Sequence, residues 1–196
     1  MIITFARQYG SGGRDIGLKL AELLNYRFYD REILELAAEN SSIHPDIAKR
    51  FDEKPASSLL YSAFMASGGM DERQIPLNQK LALAQFQVIR DLANEGNCIF
   101  VGRCADMALQ KRSDLLRIYL HAPTEYRLKR IVEEYGVPKE LSEKMLKKTD
   151  KTRNDYYEFF TQKKWGQSTN FDLTINTSLL GVDGTAERLA AFIKSL

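Results

Sequence analysis

A glycine-rich turn separates two segments of different periodicity near the start of the sequence. Before it, residues 2–6 are apolar and β-prone, which predicts a buried strand of a parallel sheet. After it, apolar side chains recur at helical spacing from Ile16 to Leu24, which predicts a helix that begins near Arg14 or Asp15. Three glycines in four residues at this junction let main-chain N–H groups converge, and the helix N-terminus adds partial positive charge. The predicted phosphate-binding residues are therefore Gly10, Ser11, Gly12, Gly13, Arg14 and Asp15.

The turn departs from the P-loop pattern G-x-x-x-x-G-K-[ST] at the positions of its first glycine and its lysine. Arg7 stands where the first glycine would be, and Gly13 stands where the lysine would be. Arg14, one position later, is the predicted replacement cation, because a guanidinium group can hold two phosphate oxygens at once. The alternative is a glycine-rich turn followed by an ordinary solvated arginine.

Composition predicts one soluble domain without a chain-wide charged surface. The chain has 196 residues, enough to bury a sizeable core, and 28 basic against 26 acidic side chains. This near balance argues against nucleic-acid or membrane partners, so any basic site must be local. No stretch approaches the roughly 18 apolar residues of a membrane span, and the N-terminus lacks the features of a signal peptide. We therefore expect a cytoplasmic protein that acts on small molecules.

Cysteine and histidine residues are too few for several common chemistries. Cys98 and Cys104 are the only cysteines, and Cys98 lies in a predicted buried strand, so we expect packing residues rather than a disulfide framework. The two histidines, His44 and His121, are far apart and offer no zinc ligand set. No Ser-His-Asp or Cys-His motif is legible, which argues against nucleophilic hydrolysis.

Strand and helix patterns alternate along the sequence, which predicts a three-layer α/β fold with a mostly parallel five-stranded sheet. Parallel sheets bind ligands at the carboxyl ends of their strands. The turn after the first strand and Asp30 after the second are therefore expected at one edge of the sheet, with Arg103 ending the third strand at the same edge. The predicted strands are residues 2–6, 26–30, 98–101, 116–120 and 171–175, and the predicted last helix is 185–196.

Two segments interrupt the alternation. Residues 41–77 contain several prolines and glycines and a short predicted helix at 57–66, which indicates a helical insertion that closes on a substrate or a passive packing arm. Residues 124–165 are helical and highly charged, and Arg127 and Arg130 share a helix face. The aromatic residues that follow are interpreted as core packing, with base stacking as the alternative.

The predicted edge therefore combines a phosphate-binding turn, a carboxylate and several arginines. Phosphoryl transfer needs aligned substrates and cations around the transferring group rather than a protein nucleophile. Arginines on a closing arm supply this charge while excluding water. The predicted catalytic residues are Arg14, Arg127, Arg130 and Arg153.

Several segments, in order and over nearly the whole chain, resemble the cytidylate kinase-like family. They are residues 3–17, 28–30, 101–106, 150–153 with Tyr156-Tyr157, and 175–178. The resemblance implies a P-loop NTPase-like core with strand order 2-3-1-4-5, a helical acceptor-binding insertion and a helical lid. In the single domain 1–196, the implied core is 1–40, 78–123 and 166–196, the insertion is 41–77 and the lid region is 124–165.

The resemblance also implies roles for individual residues. Residues 10–15 would hold the ATP phosphates, and Asp30 and Arg103 would face the acceptor. Mg²⁺ would arrive with the nucleotide, with Asp15 or Ser11 as the nearest protein partner. The implied lid clamp is Arg127, Arg130 and Arg153, and the implied adenine loop is Asn176, Thr177 and Ser178.

The function expected from these features is an ATP-dependent small-molecule kinase, with a nucleoside monophosphate such as CMP as acceptor. Cytidylate kinases carry the P-loop lysine where this chain has Gly13, and an Arg-Asp pair where it has Leu146-Lys147. One alternative is therefore a nucleotide-binding module that regulates a partner without phosphoryl transfer. A second alternative is a kinase for a non-nucleotide acceptor.

Overall fold

Strands and helices alternate along the described part of the chain, as the sequence predicts. The computed structural model describes residues 1–41, 43–51 and 76–196. Its strands are β1 (Ile2–Arg7), β2 (Arg27–Tyr29), β3 (Cys98–Val101), β4 (Leu115–His121) and β5 (Leu173–Asn176). Its helices are α1 (Gly13–Leu24), α2 (Glu32–Asn40), α3 (Pro45–Phe51), α4 (Leu77–Asn94), α5 (Ala105–Ala108), α6 (Thr124–Glu133), α7 (Lys139–Thr161) and α8 (Gly181–Lys194).

The five strands form one parallel sheet in the order β2-β3-β1-β4-β5. Strand β1 lies in the middle, where Thr4 is in register with Phe100 of β3 on one side and Arg117 of β4 on the other. The predicted fold class and strand order are therefore confirmed. Because all strands run the same way, the turn after β1 opens at the carboxyl edge of the sheet, between its neighbours.

Apolar side chains alternate between the two faces of the sheet and give the fold its three layers. Ile3 and Phe5 pack with α1 and α8 on one face, whereas Ile2 packs with α2 and α4 on the other. A third cluster joins α4, α7 and the sheet, and it contains the buried aromatic residues Tyr156 and Tyr157. These two aromatic residues are core packing residues, which is the first of the two interpretations above.

Most element boundaries differ from those predicted by one or two residues, and the start of α8 differs by four. Helix α8 begins at Gly181 rather than at residue 185. Its first turn contains glycine residues, which have low helix propensity, so the sequence pattern did not indicate a helix there. In this turn the Thr185 hydroxyl donates a hydrogen bond to the Gly181 carbonyl. Strand β5 begins at Leu173 rather than at residue 171. The Asp172 carboxylate accepts hydrogen bonds from the main chain and side chain of Arg117, so ladder pairing with β4 starts one residue later.

Most of the predicted insertion, 42 and 52–75 with the helix expected at 57–66, lies outside the described residues. Its described part is α3, residues 41 and 43–44, and the start of α4. None of the described helices is both long enough and apolar enough to cross a membrane. The division into core, insertion and lid stays a prediction.

Replacement of Gly10 tests how closely the turn packs. Gly10 has φ 80°, and a Cβ atom there would lie 2.7 Å from the main-chain oxygen of Arg127. We expect Gly10→Ala to lower the free energy of unfolding by about 2–4 kcal/mol, because the left-handed backbone and the collision both carry a cost. Urea denaturation measures the change.

The matched control is Gly136→Ala. Gly136 also has positive φ, 66°, but apart from its two sequence neighbours no described residue has an atom within 4 Å of the position that an alanine methyl group would take, so only the backbone cost of about 1 kcal/mol is expected. Equal losses in the two variants would show that the contact between the turn and α6 contributes nothing.

Candidate functional site

A cleft of about 810 Å³ opens at the carboxyl ends of the strands. Its volume lies within the range of roughly 300–1,000 Å³ that is usual for small-molecule sites. Because the whole chain carries a net charge of only +2, the excess of basic over acidic side chains here is local. The basic side chains lining the cleft are Arg7, Arg14, Arg31, Lys49, Arg103 and Arg153, and the acidic ones are Asp15, Asp30 and Glu35.

The glycine turn forms one wall of this cleft. Gly10 and Gly12 both have φ 80°, and Gly12 precedes α1 without any side-chain cap. The first N–H groups of α1 have no carbonyl one turn earlier to receive them, so this helix end can bind an anion. Ser11 is fully buried, and its hydroxyl donates to the Gln8 carbonyl at 2.8 Å. Ser11 therefore supports the turn internally with its side chain.

Arg127 of α6 and Asp150 of α7 hold the turn through the main chain of Tyr9. The Tyr9 N–H donates to Oδ1 of Asp150 at 2.7 Å, and Nη1 of Arg127 donates to the Tyr9 carbonyl at 3.3 Å. The same Arg127 nitrogen donates to Oδ2 of Asp150, so carboxylate and guanidinium form a buried pair around one peptide. Burial raises the pKa of the Tyr9 phenol, and the nearby Arg153 guanidinium offsets part of that rise.

The three arginines of the predicted clamp lie in different surroundings. Arg127 and Arg130 are not among the residues that line the cleft, and Nη2 of Arg130 donates to Oδ2 of Asp15 at 2.9 Å. Arg153 does line the cleft, where its guanidinium carbon lies 5.8 Å from the centre of the Tyr9 ring and Nη1 donates to the Arg7 carbonyl. The catalytic role of all three stays a prediction.

Asp30 lies between two arginines at the edge of the sheet. Oδ2 accepts from Nε of Arg14 at 2.9 Å, and Oδ1 accepts from Nη1 of Arg103 at 3.1 Å. Arg103 is buried and has φ 53° in a run of left-handed residues that includes Gly102 and Cys104, so this ion pair anchors a strained segment. The Arg14 side chain is 52% exposed. The predicted donor cation and the predicted acceptor carboxylate are thus in direct contact.

The predicted adenine loop is hydrogen-bonded to the glycine turn through Thr177. Thr177 is fully buried, and its hydroxyl donates to the Ser11 carbonyl at 2.7 Å. Oδ1 of Asn176 accepts from both the N–H and the hydroxyl of Ser178. None of the three lines the cleft, and their contact with a base stays a prediction.

Asp15 is the predicted protein partner of magnesium. No group of three metal-binding side chains occurs in the described ranges. Asp15 lines the cleft, and one of its oxygens is already bonded to Arg130. Mg²⁺ is usually bound through one or two carboxylates, substrate phosphates and water, so a single carboxylate beside a phosphate site fits a nucleotide-borne ion.

Several residues of the cleft received no role from the sequence. Arg7, Arg31 and Lys49 line it, and the position of Arg7 at the end of β1 was the signal that could have identified it. Asp150 belongs to the charged segment and to the family-like run 150–153, but the sequence assigned it no role of its own. Its contact with Tyr9 spans 141 residues of sequence, which no local pattern reveals.

Comparisons with known proteins agree with this architecture. The model of the cytidylate kinase-like family matches residues 2–179. An uncharacterised protein from Eubacterium ventriosum has 27% identity and a TM-score of 0.74, with 100% of this chain and 99% of that chain covered. A comparison with curated protein sequences found no match.

Two solved kinases have the same fold at lower identity. Shikimate kinase from Acinetobacter baumannii, in complex with shikimate, has 18% identity and a TM-score of 0.53, with 99% of this chain and 93% of that chain covered. Shikimate kinase from Bacteroides thetaiotaomicron has 12% identity and a TM-score of 0.56, with 99% and 98% covered. At these identities the likeness concerns the fold alone.

The pair that holds Tyr9 can be tested by removing its carboxylate. Asp150→Ala leaves the Arg127 guanidinium, 7% exposed, without its partner, and the Tyr9 N–H loses its acceptor. We expect the free energy of unfolding to fall by about 3 kcal/mol, as for other broken buried ion pairs. Guanidinium chloride titration followed by circular dichroism measures it.

Asp155→Ala provides the control on the same helix. Its partner Lys151 is 75% exposed, so the loss is expected to stay below about 1 kcal/mol. A loss of this smaller size for Asp150→Ala as well would contradict the supporting role of the buried pair.

Proposed function

The chain belongs to the cytidylate kinase-like family, and on this basis we propose that it transfers the γ-phosphoryl group of ATP to a small anionic acceptor. A nucleoside monophosphate such as CMP is the acceptor that we propose first. Family membership supports small-molecule kinase chemistry, and the fold supports nucleotide binding.

The observation that best supports this proposal is that the glycine turn lines a cleft whose charged side chains are mostly basic. The first turn of α1 presents main-chain N–H groups beside six basic side chains, in a chain whose overall charge is close to neutral. Phosphoryl transfer gathers negative charge from two substrates at one place. A cleft with this charge can hold both substrates, because the cations reduce the repulsion between them.

On the donor side, the turn formed by residues 10–15 would hold the ATP phosphates. Gly10 and Gly13 line the cleft, and the first N–H groups of α1, which have no carbonyl one turn earlier, can donate to a phosphate there. Thr177 bonds the adjacent loop to the Ser11 carbonyl, so a base bound against this loop would lie close to the phosphates.

On the acceptor side, Asp30 and its two arginines would orient the incoming molecule. Within the described part of the chain, each Asp30 oxygen accepts one side-chain hydrogen bond, and a second lone pair on it can accept from a hydroxyl group of the incoming molecule. Among the bonds of the described residues, Arg14 donates only through Nε, so its terminal NH₂ groups remain for phosphate oxygens. Lys49 of α3 adds a cation from the predicted insertion.

The proposed lid region would complete the site. Arg153 of α7 lies against Tyr9 at the cleft wall, where it can stabilise the transferring group while limiting the access of water. Asp15 would face nucleotide-bound Mg²⁺, which when bound would neutralise part of the phosphate charge. Arg127 and Arg130 would act from beneath the turn by holding its shape.

A nucleotide-binding module without phosphoryl transfer is the second candidate function. It is favoured by Gly13, which leaves the lysine position of the P-loop pattern without a side chain. In this case ATP would bind at the turn and alter the contact between the lid region and a partner protein.

The kinase proposal predicts ADP formation that depends on an acceptor. In a coupled assay with ATP and Mg²⁺, we expect turnover above the acceptor-free rate with at least one nucleoside monophosphate, and the highest kcat/KM with CMP. The panel would contain CMP, UMP, AMP, GMP and shikimate. ATP binding without turnover on any of them would support the regulatory module, and turnover on shikimate alone would replace the acceptor class.

Two arginine variants control this assay. Arg14→Ala should lower kcat/KM by an amount equivalent to about 2–4 kcal/mol of transition-state stabilisation, because the variant lacks a cation that is already positioned in the site. Arg188→Ala changes an exposed arginine of α8 that does not line the cleft and should behave as wild type. Equal activity of the two variants would remove Arg14 from the site.

A further inference from the structure

The two departures from the P-loop pattern contact each other in space. Arg7 is the last residue of β1, and Gly13 is the first residue of α1. A Cβ atom at Gly13 would lie 2.7 Å from Cβ of Arg7 and 2.9 Å from its Cγ. The stem of the Arg7 side chain therefore occupies the space in which any side chain at position 13 would begin.

This contact makes the two departures one coupled change. A side chain at position 13 is excluded while Arg7 is present, because Cβ contacts below about 3 Å require a main-chain shift. A glycine at position 7 would vacate that space and permit a lysine at position 13, which is the arrangement of the P-loop pattern. Compared with the P-loop pattern, the cationic residue and the glycine have exchanged positions: the cation is at position 7 and the glycine at position 13.

The Arg7 side chain borders the same cleft as the turn. Arg7 lines it together with Gly10 and Gly13, and its stem crosses the first residue of α1. Arg14, the cation expected from the sequence, instead donates through Nε to Asp30 and stacks over Phe28 on the acceptor side. Arg7 thus lies over the first residue of α1 and lines the cleft, whereas Arg130, whose guanidinium lies beside Gly12, does not line the cleft and donates to Asp15.

We propose that Arg7 supplies, from the neighbouring strand, the phosphate-binding cation that the lysine supplies in a P-loop. This inference rests on the proposed function, since it concerns the phosphates of the same nucleoside triphosphate. A guanidinium group can donate to two phosphate oxygens at once, whereas an ammonium group acts as a point charge. The site therefore keeps its charge although position 13 has no side chain.

The test is an exchange of the two residues, with direct binding as readout. Isothermal titration with ATP, and separately with inorganic tripolyphosphate, is compared for Arg7→Ala, Gly13→Lys and the double variant R7G/G13K. Arg7→Ala should weaken both ligands by roughly tenfold or more, as expected when a charged hydrogen bond is lost. Gly13→Lys alone should lower Tm, because its side chain meets the Arg7 stem. The double variant should recover Tm and bind ATP within about threefold of wild type.

Two further variants serve as controls for the effect of Arg7→Ala on ATP binding. Arg27→Ala changes an arginine at the opposite end of a strand, 56% exposed, and should bind ATP as wild type. Arg7→Lys keeps the charge and should bind ATP more tightly than Arg7→Ala, which keeps the inference testable if the double variant does not fold.

The outcomes are distinct. Wild-type protein that binds neither ATP nor tripolyphosphate would overturn the proposed function together with this inference. Wild-type binding that Arg7→Ala leaves unchanged would overturn the inference alone. The inference alone would also be overturned if Arg7→Ala weakened the binding of CMP but not that of ATP. A folded double variant that binds ATP as weakly as Arg7→Ala would overturn it as well.

Discussion

The close approach of the Gly10 backbone to α6 is the contact on which the rest of the site depends. A methyl group at Gly10 would collide with the Arg127 carbonyl, so the turn can lie there only as glycine. This approach brings Arg127 and Asp150 within bonding distance of both polar groups of the Tyr9 backbone. One side of the turn is thus held by α6 and α7, and its other side lines the cleft.

Several arginines around the turn form ion pairs with carboxylates, and these pairs differ in how far the arginine is exposed to solvent. The Arg127–Asp150 and Arg103–Asp30 pairs are buried, and such pairs contribute to a defined geometry more reliably than to net stability. Arg14 is half exposed although it shares the Asp30 carboxylate, so an anionic ligand can reach it. The buried pairs therefore act as scaffold, whereas the half-exposed Arg14 can contact a ligand as well.

The sequence predicted the fold more completely than the site. Alternating periodicity identified five strands, but their neighbours followed only from the family resemblance, because periodicity does not say which strands pair. The parallel-sheet rule predicted correctly that the glycine turn and Asp30 lie at the same edge of the sheet. The contact between Arg14 and Asp30, the buried partner of Arg127 and the Arg7 stem over Gly13 all depend on side-chain packing between distant segments, which no local pattern contains.

A crystal structure with a non-hydrolysable ATP analogue tests the central claim most directly, that the bend between β1 and α1 is a triphosphate site completed by Arg7. We expect the β-phosphate within hydrogen-bond distance of the main-chain N–H groups at the start of α1, with the Arg7 guanidinium on the same phosphates. A triphosphate bound away from the bend, or one bound there with Arg7 turned aside, would contradict this account.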